Sequence, residues 1–127
     1  MERIITEEYL IENPTHIFVF GDNLLRKGKK GASELRDLPN VLGFITKKYP
    51  NYKDSSYYHP EEYKTVFENE FDMLTAMIQV KHDNIFLISK LGSGLANKYG
   101  IWEKIICNRL KELIEVDNVE FLFDFEN

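Results

Sequence analysis

Gly21-Asp22-Asn23 is the first group of residues in this chain equipped for chemistry. An amide offers both a donor and an acceptor, the pair needed to grip a sugar hydroxyl. A neighbouring carboxylate can accept from hydroxyls or activate a water, so Asp22 and Asn23 are the candidate catalytic residues. The same side chains also suit a turn cap, because Asx residues often bond their own backbone. A basic, glycine-broken segment follows, Gly28-Lys29-Lys30-Gly31-Ala32. Its glycines permit close approach of a ligand, and a helix start at Gly31-Ala32 would favour an anion. Lys30 would add a direct charge; Lys27 and Lys29 read better as solvated. The third group is Lys90-Leu91-Gly92-Ser93-Gly94-Leu95-Ala96. Ser93 carries a hydroxyl donor, Leu95 and Ala96 can wall a pocket, and Lys90 faces either the site or solvent. The alternative for this loop is a purely structural turn.

These groups need elements to hold them, and each lies next to a strand-like run. Ile17 to Phe20 is apolar and rich in β-formers, as in a strand covered on both faces. Ile85 to Ser89 reads the same way. Val41 to Thr46 is a third strand with a polar exit, which adds Thr46 to the candidate site. Val119 to Phe123 is a last strand, and Ile4-Ile5 a short opening one. Thr6 has N-cap character before a short helix over Glu7 to Ile11. Ala32 to Leu38 reads as another short helix. Pro60 starts a long helix to about Val80, with Tyr63, Phe67, Phe71, Leu74 and Ile78 at helical spacing. Lys98 to Ile114 is a second long helix, striped by Ile101, Ile105, Ile106, Leu110, Leu113 and Ile114. Alternation of strands and helices predicts an α/β fold in three α/β/α layers around a mostly parallel sheet. Ligands of such sheets bind at the carboxyl ends of strands, where the glycine loops fall.

The 127 residues fit one domain over 1–127, and 43 % hydrophobic content supports a packed core. Residues 21–53 hold eight Lys/Arg against three acids, although the whole chain carries −5. A basic patch on an acidic protein suits a small anion better than a long nucleic acid. The single cysteine, Cys107, excludes an internal disulfide and reads as a buried small hydrophobe. The three histidines are scattered, so no metal site and no cofactor are expected. No leader or membrane-length apolar run is present, which predicts a cytoplasmic protein without a membrane partner. Trp102 reads as core. Tyr49 to Tyr58 is an aromatic loop whose rings either stack on a ligand or pack the loop.

Taken together, Phe20-Gly21-Asp22-Asn23, the Gly28–Ala32 loop and the Ser89–Ala96 loop resemble a macro domain, an ADP-ribose-binding α/β module. Phe-Gly-Asp-Asn-Leu, Pro39-Asn40 with Gly43-Phe-Ile-Thr-Lys47, and Gly-Ser-Gly-Leu-Ala resemble small macro-like proteins of bacteriophages and bacteria. The resemblance spans about Ile17 to Phe123. It implies that Asn23 meets a ribose, that Gly28–Ala32 is the glycine loop, and that Gly92–Ala96 surrounds a diphosphate. The function it implies is binding of ADP-ribose or a related NAD-derived nucleotide, with sequestration of a defence signal as a phage-type use. The alternatives are a hydrolase of ADP-ribosyl linkages and an interaction module without a ligand. The chain departs from the family in the lysines that interrupt its glycine run. It also lacks an acidic adenine motif near Ile4-Ile5-Thr6.

Overall fold

The computed structural model describes residues 2–125. Four strands form one all-parallel sheet in the order β2-β1-β3-β4. They are β1 (His16–Asn23), β2 (Val41–Lys47), β3 (Ile85–Ile88) and β4 (Val119–Phe121). Helix α1 (Glu7–Glu12) precedes β1, and α2 (Pro60–Val80) joins β2 to β3. Helix α3, residues 102–113, joins β3 to β4. Thr6 caps α1 by accepting from Tyr9 N at 3.1 Å, as its hydroxyl predicts.

The two faces of the sheet are covered unequally. Ile17, Val19, Phe44, Phe86 and Ile88 pack against Tyr63, Phe67 and Leu74 of α2 and Ile106 and Leu110 of α3. The opposite face is thinner: Leu87 packs with Leu10 of α1, joined by Leu35 and Leu38 from the β1–β2 connection. The chain steps from β1 to β2 in one direction across the sheet, then reverses towards β3 and β4. Crossovers of one hand must then lie on opposite faces, as these two clusters do. β2 is an edge strand, and α2 covers its open backbone groups. Tyr63 Oη donates to Ile45 O at 2.5 Å, while Glu70 Oε1 accepts from Ile45 N at 2.8 Å. Burial first, then the charge of Glu70, holds the Tyr63 phenol far above its ordinary pKa.

Several expectations are corrected. Residues 4–5 form no strand: Ile4 is 85 % exposed, and Arg3 N makes one backbone bond to Leu122 O. Residues 32–38 form no helix but a 3-10 turn, Gly31–Ser33, followed by further turns. The segment has only Leu35 and Leu38 to bury, and Pro39 ends it. The last helix starts later than Lys98 and opens with a π-turn, Trp102–Ile106. That wide turn keeps Ile101 and Ile106, five residues apart, on the buried side, while Ile114 is half exposed. Cys107 is half-buried, β3 ends at Ile88, and β4 ends at Phe121.

Candidate functional site

Strand order reverses between β1 and β3, and the exits of these neighbouring strands diverge to opposite faces. Such a switch point opens a crevice above the strand ends. The backbones meet closely at its floor. A Cβ on Gly21 would lie 3.2 Å from Thr46 Oγ1 and 4.0 Å from Gly92 N. Gly92 has φ +73°, where an L side chain is strained, and a Cβ there would press on Ile106 Cδ1 at 2.6 Å. Gly94 and Gly31 face open space.

Asp22 and Asn23 are the last residues of β1 and are buried, at 4 % and 7 % exposure. The β1–β2 register slips between them, so Asn23 stands opposite Lys47. Such a bulge re-aims the side chains beside it. Arg36 holds Asp22 in a two-pronged ion pair, Nη2 to Oδ1 at 2.6 Å and Nη1 to Oδ2 at 3.0 Å. Asp22 Oδ1 also accepts from Asn23 N at 2.8 Å, and Arg26 Nη1 stands 3.5 Å from Oδ2. Arg36 further donates to Gly28 O and Lys27 O. The Asn23 amide is engaged as well: Nδ2 donates to Lys27 O at 2.8 Å, and Oδ1 accepts from Leu25 N at 3.0 Å. Asp22, Asn23 and Arg36 therefore shape the loop from Leu24 to Gly28.

The remaining candidates are distributed as follows. Gly28 and Gly31 have φ +94° and +59°, in a loop that is largely exposed, Lys30 and Ala32 included. The turn at Gly31 is a single 3-10 turn and supplies no long helix dipole. Lys29 pairs with Asp37. Thr46 is buried and donates weakly to Asp22 O at 3.4 Å. Ser93 Oγ donates to Lys90 O at 2.6 Å, closing its own loop. The Lys90 ammonium lies 5.4 Å from the Trp102 ring centroid. Leu95 is 70 % exposed, and Ala96 sits in the 3-10 turn Leu95–Asn97. The N–H groups of Gly94, Leu95 and Ala96 meet no acceptor among the described residues.

Residues that sequence reasoning missed lie around the same strand ends. Arg36 is one, and the charge excess of 21–53 is the only signal that pointed near it. Tyr57 and Tyr58 are buried, whereas Tyr52 is 66 % exposed. Lys47 lies 4.9 Å from the Tyr52 ring centroid and 5.2 Å from that of Tyr57, while Lys98 lies 5.5 Å from Tyr57. A cavity of about 520 Å³ opens between the starts of α2 and α3, lined by His59, Lys64, Tyr99 and Lys104 among others. It contains none of the residues expected from sequence. Among the described residues, no cluster of His, Cys, Asp or Glu could hold a metal, and no helix is long and apolar enough to cross a membrane.

Fold and site define an α/β protein in which two glycine-rich loops leave the carboxyl ends of the neighbouring parallel strands β1 and β3. The chain belongs to the family of unknown function DUF7831, whose model matches residues 1–98 and so includes both loops. No curated protein and no solved structure matches it.

Proposed function

We propose that this chain is a macro-like binding protein for ADP-ribose or a related NAD-derived nucleotide, held in the crevice above β1 and β3. The observation that carries the reading is the close approach of Gly21, at the exit of β1, to Gly92, in the loop after β3, where strand order reverses. Three N–H groups at residues 94–96 without an acceptor among the described residues, and the free space over Gly94, suit a diphosphate approaching the backbone. The resemblance of these loops to those of macro domains supplies the nucleotide. Sequestration of a defence messenger is the use that fits a small binder of this kind.

Binding is preferred to hydrolysis because of Asp22. Both its oxygens are occupied by Arg36, and the carboxylate is almost fully buried. A general base must reach the water it activates. The test is calorimetric titration with ADP-ribose, followed by recovery of the ligand after denaturation. Saturable binding with intact ADP-ribose supports the reading. Absence of binding removes it, and recovery of cleaved ligand replaces it with the hydrolase.

A further inference from the structure

Most cations around the strand ends already have a carboxylate. Arg36 and Arg26 face Asp22, Lys48 pairs with Glu62 at 3.0 Å, and Lys98 pairs with Asp54. Lys47 is different. It is half-buried at the exit of β2, directly opposite Asn23, and has no ion-pair partner among the described residues. Burial alone lowers its pKa from the ordinary lysine value, since nothing compensates the lost hydration. Its ammonium rests against Tyr52 and Tyr57, which attract a cation without neutralising it.

Tyr57 links this lysine to the other side of the crevice. Its buried ring has Lys47 at 5.2 Å and Lys98 at 5.5 Å from one centroid. Lys98 follows the loop after β3, so the exits of β2 and β3 each contribute an ammonium group to one aromatic ring. The Lys98–Asp54 pair is exposed, at 42 % and 75 %, and an exposed pair is readily exchanged for a stronger anion. Both ammonium groups lie within 5.5 Å of the same ring centroid, and a ligand with two adjacent negative charges can answer both.

We infer that Lys47 and Lys98, arranged about Tyr57, grip the diphosphate of the ligand. The assignment rests on the nucleotide reading above for the identity of that ligand. The probes are inorganic pyrophosphate and ADP-ribose, each titrated into wild type, Lys47→Met, Lys47→Arg and Lys98→Met. Methionine keeps the apolar stem against the tyrosines and deletes the charge. The expected result is a loss of about tenfold or more in affinity for both probes with either methionine variant, equivalent to about 1.4 kcal/mol. Lys47→Arg should recover most of it, and the salt dependence should weaken in the methionine variants. Unchanged affinity for both probes in both methionine variants overturns the inference and leaves the nucleotide reading standing. Wild type that binds pyrophosphate in a Lys47-dependent way but ignores ADP-ribose does the reverse. Wild type that binds neither removes both. Lys98 is exposed, so Lys98→Met decides the matter should Lys47→Met fail to fold.

Discussion

Replacement of Asp22 by alanine is the perturbation on which the two roles of this residue diverge most. Its side chain is 2 % exposed and that of Arg36 is 14 %, so the pair is shielded from solvent on both sides. Alanine removes two charge-assisted bonds, at 2.6 and 3.0 Å, and the acceptor for Asn23 N at 2.8 Å. Breaking a buried pair by deleting one partner costs about 3–5 kcal/mol, because the other charge is left uncompensated. Arg36 keeps the carbonyls of Gly28 and Lys27, which places the cost near the lower bound, about 3 kcal/mol. For a chain of this size that is a fall of roughly 10 °C in Tm. Asp22→Asn keeps one acceptor and should lose about half as much. Chemical denaturation with a thermal scan on the same samples measures both. A loss below about 1 kcal/mol in Asp22→Ala would refute the argument that Asp22 organises the loop. Full stability of Asp22→Ala, with cleavage of ADP-ribose by the wild type that this variant loses, would instead mark Asp22 as a catalytic group.

Gly94→Asp should leave the melting temperature unchanged, because a Cβ there meets open space, yet should abolish calorimetric binding of ADP-ribose by setting a like charge beside the phosphates. Gly92→Ala should do the opposite to stability, losing about 1–3 kcal/mol through positive φ and contact with Ile106; an unchanged melt sinks that packing argument. Asn23→Ala should cost about 0.5–2 kcal/mol by freeing Lys27 O and Leu25 N, and a stable variant with weakened binding would instead mark Asn23 as a ligand contact. Glu62 accepts from His59 N at the start of α2 and, secondarily, from Lys48, which together lower its pKa below 4.5. A depressed carboxylate stabilises above that value and loses its contribution as pH falls through the folded pKa. Glu62→Gln should therefore flatten the decline in Tm between pH 5 and pH 3, by less than about 1 kcal/mol for so exposed a pair; parallel declines would exclude the role.

The strands were legible because parallel strands buried on both faces must be continuous apolar runs, and Ile17–Phe20 and Ile85–Ile88 are such runs. Helix α2 was legible from Pro60 and from apolar residues at 3.6-residue spacing. The π-turn in α3 was not, since Ile101, Ile105 and Ile106 satisfy a regular helix equally well until packing chooses 101 and 106. Ile4-Ile5 failed as a strand because two apolar residues cannot hold an edge when one of them finds no surface to cover. At the site, the local half was readable. The partners of Asn23 lie within four residues, which is the reach of an Asx turn.

The long-range half depended on a coincidence that no single position announces. Asp22 meets Arg36, fourteen residues on, only because Gly43 on the neighbouring strand leaves room. A Cβ at Gly43 would lie 2.3 Å from Asp22 Oδ2. That pairing changes what the basic excess of residues 21–53 means. Arg36 and, more loosely, Arg26 share Asp22, while Lys29 pairs with Asp37 and Lys48 with Glu62. Among the described residues, Lys27, Lys30, Lys47 and Lys53 of that segment have no ion-pair partner. Lys27, Lys30 and Lys53 are exposed, whereas Lys47 is half-buried beside Asn23, where water screens its charge least.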